Sequence, residues 1–225
     1  VAVLGDVKEA LTALIPLIDK KSHDSWHNEF KEKYKIELDK VINEELAPTN
    51  GKGISMGETI EMINKHSKGD AIMVSDVGQH QMFACRYVKF NSTKSNVTSG
   101  GLGTMGFALP AAIGAKMGRP DREVVAIIGD GGFQMNIQEL GTIHQTKVPV
   151  KIVVLNNKFL GMVRQWQEFF HGNRYAESYM DALPDFVKLT ESFGHVGMHI
   201  EKPEDVEPAL DEAKLQGAVV QDIGA

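Results

Sequence analysis

Two kinds of apolar pattern alternate along this chain. The first is a short apolar run, as in Ala71-Ile-Met-Val74, Val124-Val-Ala-Ile-Ile128 and, interrupted only by Lys151, Val150-Lys-Ile-Val-Val-Leu155, with the more mixed His195 to Ile200 and Val219 to Ile223 also read as strands. Such β-branched runs suit buried strands and are too short for helices. The second is a stretch with apolar residues three or four apart. Asp6 can cap a helix to about Ile15, with Val7, Leu11, Leu14 and Ile15 on one face and Pro16 as its stop. Ser55-Met-Gly-Glu58 reads as a capping box opening a helix to His66. Further helices are expected over Asp24–Glu45, Phe107–Met117, Asn136–Gln145, Met162–Phe170, Asp185–Phe193 and Glu204–Leu215, and Asn96–Thr98 is a weak strand. Strand, helix and strand in succession over 124–155 make a βαβ unit, whose strands should be parallel neighbours with a right-handed crossover. The expected architecture is therefore α/β, an open, mainly parallel sheet with helices on both faces.

Bulk properties narrow the class without naming it. With 225 residues, 42% hydrophobic and 24% charged, the chain has the makeup of a globular protein with ample core. A net charge of −6 and the lack of a basic run argue against a nucleic-acid surface. One cysteine, Cys85, excludes an internal disulfide framework and fits a reducing compartment. No apolar stretch has membrane-spanning length and no signal peptide is evident, so no membrane partner and a cytoplasmic location are expected. The start at Val1-Ala-Val-Leu4, without methionine, suggests a piece of something larger. The Lys- and Glu-rich 24–45 stretch reads as a solvated face. Ala47 to Gly53 reads as a linker, giving segments 1–46, 47–53 and 54–225.

Candidate chemistry concentrates where the apolar runs end. Gly129-Asp130-Gly131-Gly132 closes one strand, and about two dozen residues later Leu155-Asn156-Asn157 closes its neighbour. Parallel strands bind ligands at their carboxyl ends, which places Asp130 beside Asn157. One carboxylate and one amide oxygen suit magnesium, which completes its shell with phosphate oxygens and water. The amides of Gly131 and Gly132 would face the same phosphates. The competing reading is an ordinary strand-end turn in which Asp130 caps the next helix. Gln79 and His80 start a helix after another strand, again a natural place to meet an anion. Gly101-Leu-Gly-Thr-Met-Gly106 satisfies G-x-G-x-x-G, yet the strand before it is weak and the next strand ends in Gly-Asp-Gly, so nicotinamide binding is rejected.

Together these motifs carry a resemblance. Gly129-Asp130-Gly131 followed at this distance by Asn156-Asn157 resembles the thiamine diphosphate signature. Asp76-Val-Gly-Gln-His-Gln-Met82, Thr98-Ser-Gly-Gly-Leu-Gly-Thr-Met-Gly106 and Gly161-Met-Val-Arg-Gln-Trp166 look like the catalytic subunit of biosynthetic acetohydroxyacid synthase (acetolactate synthase). The resemblance spans most of Ser55–Ala225, and Val1–Leu46 resembles the last strand and helix of that family's middle domain plus a connecting arm.

The resemblance implies a diphosphate-anchoring domain that binds thiamine diphosphate and Mg2+. Cofactor contacts would come from Gln79, His80, Gly103, Met105, Gly129, Gly131, Gly132 and Met162, with Met105 as the wedge that bends the cofactor. Metal ligands would be Asp130, Asn157 and the carbonyl of Phe159. Met162, Val163 and Trp166 would wall the substrate channel. The family's activating glutamate lies in an amino-terminal domain of the partner subunit and has no counterpart here, so no catalytic residue is expected in this chain. Glu139 is expected to make structural hydrogen bonds only. Gly132 departs from the serine or alanine common at its position. The full enzyme would condense pyruvate with a second 2-ketoacid, pyruvate or 2-ketobutyrate, with decarboxylation, on the way to the branched-chain amino acids valine and isoleucine. FAD, a homodimer or tetramer and a regulatory small subunit belong to that implied whole. Other readings are a related thiamine enzyme, such as glyoxylate carboligase or pyruvate oxidase, and a non-catalytic binding or oligomerisation module.

Overall fold

The computed structural model describes residues 2–47, 53–215 and 219–224. The chain divides into two compact units, Val1–Glu44 and Glu45–Ala225. The first is helical. Asp6 accepts hydrogen bonds from the Lys8 and Glu9 amides at 2.9 and 3.2 Å, starting α1 (Val7–Leu14). Pro16 then tightens the chain into a 3-10 turn, Ile15–Leu17. A second helix, α2 (Asp24–Glu37), runs into a π-helical turn, Leu38–Ile42, and the short α3 (Asn43–Glu45). The continuous helix expected over Asp24–Glu45 is thus re-registered near its end. Neither α1 nor α2 buries a residue, and Ala2–Leu4 belong to no strand, because a strand needs a neighbour to pair with. Of the expected linker, residues 48–52 lie outside the described residues. Glu45 is the first residue of the second unit and is bonded within it: its Oε1 accepts from the Gly57 amide at 3.1 Å and its carbonyl from Ser55 Oγ at 2.9 Å.

The second unit opens with α4 (Met56–Ser67), whose N-terminus is capped by Ser55 Oγ accepting from the Glu58 amide at 3.0 Å. In chain order follow β1 (Ile72–Ser75), α5 (Gln79–Tyr87), β2 (Asn96–Thr98), α6 (Ala108–Gly118), β3 (Val124–Gly129), α7 (Asp130–Met135), α8 (Glu139–Thr146) and β4 (Lys151–Asn156). Then come α9 (Gly161–Phe170), α10 (Phe186–Ser192), β5 (Val196–Ile200), α11 (Pro203–Leu215) and β6 (Val219–Gly224). The strands form one sheet in the order β2-β1-β3-β4-β6-β5, with every pairing parallel. β3 and β4 are direct neighbours, with Ile128 opposite Val154 and Gly129 opposite Leu155.

All six residues of β3 are buried, as a central parallel strand covered on both faces requires. Ile72, Val74, Val124, Ala126, Ile128, Ile152 and Val154 share one core with residues of α6, α7, α8 and α10. Phe133 meets Phe186 edge-on there at 5.4 Å. The alternate positions, Met73, Val125, Ile127 and Val153, are equally buried and point to the opposite face.

One expected element differs. The helix read as Asn136–Gln145 begins only at Glu139, and the Gly-Asp-Gly-Gly turn itself winds into α7. Asp130 makes this possible, because its Oδ1 accepts from the Gly131 amide at 2.7 Å, one of the donors a helix start leaves unpaired. Asn136 then breaks the helix (φ −137°, ψ 30°) and turns its side chain to the Gly106 carbonyl.

Candidate functional site

A cavity of about 350 Å3 opens at the carboxyl ends of β1, β3 and β4. Three chain segments bring the polar groups to it. After β1, Gly78 (φ +152°) turns the chain into α5, so that Gln79 and His80 point across the sheet end. The turn after β3 carries Gly129, Asp130, Gly131 and Gly132, and the turn after β4 carries Asn157 and Phe159.

The His80 ring is pressed against the ends of β1 and β3. A Cβ at Gly78 would sit 2.7 Å from its Cε1, and one at Gly129 would sit 2.8 Å from its Nδ1. Glycine at 129 therefore makes room for the imidazole as well as for the turn. His80 is 6% exposed, and burial pushes its pKa down to about 4, so the ring is neutral at neutral pH. Its Nε2 is buried without a hydrogen-bond partner among the described residues. A buried polar atom left this way costs about 1–3 kcal/mol, and an oxygen-rich ligand in the cavity would relieve that cost.

Asp130 is 2% exposed. Its Oδ2 accepts from the Lys158 amide at 2.6 Å, which ties the β3 turn to the β4 turn. Asn157 Oδ1 accepts from the Phe159 amide at 3.0 Å, and its Nδ2 donates to Gln79 Oε1 at 3.3 Å. Asp130, Asn157 and Phe159 all line this cavity and offer hard oxygen donors, without a cluster of three His, Cys, Asp or Glu side chains anywhere among the described residues. That donor set fits a magnesium ion whose remaining positions are filled by phosphate and water. The bare glycine backbone and the His80 nitrogen, unpartnered among the described residues, would suit a diphosphate in the same cavity.

The 158–160 segment is held from outside by a second strip of chain. Leu160 donates its amide to the Ser178 carbonyl at 2.8 Å, and Met180 donates to the Lys158 carbonyl at 2.9 Å. Arg164 stacks 4.2 Å over the Phe159 ring and 5.4 Å over Tyr175. Gly131 fits under this strip, since a Cβ there would lie 2.7 Å from Leu160 Cδ2.

Met105, Met162, Val163 and Trp166 supply the apolar wall of the cavity. Gly103 is not among its lining residues; it lies in the exposed 101–104 loop with φ +62°. Every other expected site residue lines the cavity. Glu139 does not, and its Oε2 accepts from Thr142 Oγ1 at 2.8 Å. Leu160 and Gly161 also line it, and Asp76 lies buried beneath it. Burial raises the Asp76 pKa, opposed by backbone amides of Gly106, Ala108, Phe107 and Val77. Position at a strand end, β1 in this case, was the signal that could have drawn attention to it.

Residues 76–223 match the family described as thiamine pyrophosphate enzyme, C-terminal TPP binding domain. The chain is 44% identical over 217 residues to the acetolactate synthase isozyme 3 large subunit of Escherichia coli, covering 96% of this chain and 38% of that protein. It is 42% identical over 222 residues to the acetolactate synthase large subunit of Haemophilus influenzae, covering 95% and 37% respectively. It therefore spans well under half the length of these relatives. Among solved structures, a thiamine diphosphate-dependent 4-hydroxybenzoylformate decarboxylase of Rhodococcus jostii superposes with a TM-score of 0.72 at 26% identity, covering 77% of this chain and 33% of that one. With a family match over most of its length, on the fold and strand ends just described, the chain belongs to the thiamine pyrophosphate enzymes and carries their C-terminal TPP binding domain.

Proposed function

We propose that this chain anchors thiamine diphosphate by its diphosphate and a magnesium ion, and that the longer protein it matches is an acetolactate synthase. The observation that carries the anchoring is the junction of the β3 and β4 turns. Asp130 bonds to the Lys158 amide there, Asn157 to Gln79, and the buried Nε2 of His80 has no partner among the described residues on the edge of the same cavity. Asp130, Asn157 and the Phe159 carbonyl would hold the metal. His80, Gln79 and the amides at 131 and 132 would hold the phosphates, with His80 donating a hydrogen bond as a neutral imidazole. When bound, thiamine diphosphate would supply a nucleophilic thiazolium carbon to add to the 2-ketoacid carbonyl and a cationic ring to take up the electron pair released as carbon dioxide leaves. Met105 would support the ring system, and Met162, Val163 and Trp166 would exclude water from the channel leading to it.

In this reading the longer protein condenses pyruvate with a second 2-ketoacid, pyruvate or 2-ketobutyrate, in branched-chain amino acid synthesis. It works in the cytoplasm as a homodimer or tetramer, with FAD bound chiefly outside this chain and with a regulatory small subunit as a further partner. Asp130 is the one carboxylate lining the cavity among the described residues, and it is engaged by two amides. The group that activates the aminopyrimidine would come from the part of the relatives' length that this chain does not span. Identities above 40% to acetolactate synthases support that activity over another thiamine enzyme of the same fold.

Calorimetric titration of thiamine diphosphate into the chain, with and without magnesium, tests the anchoring. Binding that requires magnesium is expected, and magnesium-independent binding or none would overturn it. Product analysis on the longer protein, with pyruvate alone and with 2-ketobutyrate added, tests the activity.

A further inference from the structure

Gly106 is gripped at both of its polar backbone atoms by side chains distant in sequence. Its amide donates to Asp76 Oδ2 at 3.0 Å, and its carbonyl accepts from Asn136 Nδ2 at 2.6 Å. Asp76 is 0% exposed and takes two further amides on Oδ1, from Phe107 at 2.9 Å and Ala108 at 3.3 Å. It thus caps α6 from the end of β1, about thirty residues earlier in the chain. The space is full. Gly106 holds φ +79°, and a Cβ on it would lie 2.9 Å from both Asn136 Nδ2 and Met135 Cβ. A Cβ at Gly132 would overlap Asp76 Oδ2.

The residue directly before Gly106 is Met105, in the cavity wall. Asn136 directly follows α7, the helix that begins at Asp130. We propose that Asp76 and Asn136 are positioning residues for Met105: by clamping the Gly106 peptides between β1 and α7 they fix where Met105 meets the cofactor's rings relative to the metal turn. The inference rests on the reading of this cavity as the thiamine diphosphate site. A side chain on a flexible glycine loop would otherwise wander, and the loop just upstream, 101–104, is exposed. Tethering it to a strand end and a helix end gives it the precision of those elements.

A merely structural cap would hold α6 without concern for Met105, and a double-mutant cycle separates the two roles. Affinity for thiamine diphosphate at saturating magnesium is measured for the chain and for Asn136→Ala, Met105→Ala and the pair. Affinity for inorganic diphosphate with magnesium is measured alongside. Asn136→Ala is expected to weaken thiamine diphosphate by about five- to tenfold and to leave inorganic diphosphate within about twofold. In the Met105→Ala background the same change should have no further effect. Asp76→Asn keeps an acceptor oxygen in place and should show the same pattern at smaller amplitude. Additive effects of Asn136→Ala and Met105→Ala, equal losses for both ligands, or no loss at all would each overturn the inference. If the unaltered chain bound neither ligand, the cofactor reading would fall, and this inference with it.

Discussion

The turns after β3 and β4 and the helix α9 face the same cavity and are built in opposite ways. At the turns Asp130 is 2% exposed and held by two backbone amides, and beside them His80, at the start of α5, is 6% exposed and hemmed in by Gly78 and Gly129. On α9, by contrast, no residue is buried, and Trp166, Phe169 and Phe170 are 58%, 65% and 66% exposed. Apolar side chains normally gain about 25 cal/mol for each Å2 removed from water, so an aromatic face left this open has most of that gain still to make. At the polar turns Asp130 and Asn157 find hydrogen-bond partners within the chain, so that side is held by its own fold. The aromatic wall is not. The chain alone should therefore anchor a diphosphate well and manage a reaction poorly.

The largest expected effect tests that asymmetry directly. Given thiamine diphosphate, magnesium and FAD, the chain by itself should form no measurable acetolactate from pyruvate. A positioned acid–base group contributes on the order of 100- to 10,000-fold, and the described cavity wall holds no carboxylate besides the one assigned to the metal. Turnover near that of a complete acetolactate synthase would show that the aromatic side is as complete as the polar side, and the comparison would fail.

Next comes Asp130→Ala, which strikes the finished side. Its carboxylate is the only formal negative charge that the chain itself would bring to the metal shell, and both oxygens are engaged by amides. Supporting residues around a metal typically cost about 10- to 100-fold in affinity when lost. Removing the ligand itself should exceed that and abolish magnesium-dependent binding, while far-ultraviolet circular dichroism stays that of the unaltered chain. Unchanged affinity would remove the metal from this turn.

The same asymmetry governs what the sequence disclosed. Strand ends were legible because β3 and β4 are buried on both faces, so their apolar runs stop abruptly at Gly129-Asp130 and Asn156-Asn157. Helix starts with short-range caps, Asp6, Ser55 and Asp185, were legible for a related reason: cap and capped amide lie within three residues. Contacts across long separations were not. Nothing local announces that Asp76 caps α6, that Asn136 ends α7 by reaching back thirty residues to Gly106, or that Gly129 must be bare to admit His80. Gly103 lies in the exposed 101–104 loop outside the cavity lining, though a Cβ on it would come within 3.9 Å of Val77 Cγ1, a residue of that lining.

A smaller effect is expected where the two sides join. Gly161 begins α9, and a Cβ there would overlap Gln79 Oε1, the acceptor of the Asn157 amide. Alanine is the better helix former, so Gly161→Ala should not harm the helix itself. It should displace Gln79, free Asn157 to rotate and weaken thiamine diphosphate by about three- to tenfold. Calorimetry on the variant checks this. An affinity equal to that of the unaltered chain would mean that Gln79 does not hold the metal-side amide in place.

The smallest effect on binding should come from the open wall. Trp166 lines the cavity from α9, lies tilted against Phe170 at 4.9 Å between ring centres and, among the described residues, makes no hydrogen bond to the groups assigned to the diphosphate or the metal. Trp166→Leu removes ring area while keeping an apolar side chain with good helix propensity, so fold and anchor should persist. Affinity for thiamine diphosphate should stay within about twofold. Choice of acceptor should move, because one methylene in an apolar pocket is worth roughly 1–3 kcal/mol, or about 10- to 200-fold in preference, and pyruvate and 2-ketobutyrate differ by that one group. The measurement is competition between the two acceptors in the longer protein carrying the substitution, read as the ratio of the two acetohydroxy acids formed. A changed ratio at unchanged cofactor affinity keeps anchoring and selection on separate walls of the cavity. A loss of cofactor affinity with the ratio unchanged would place Trp166 with the anchor and erase the division between the polar turns and α9.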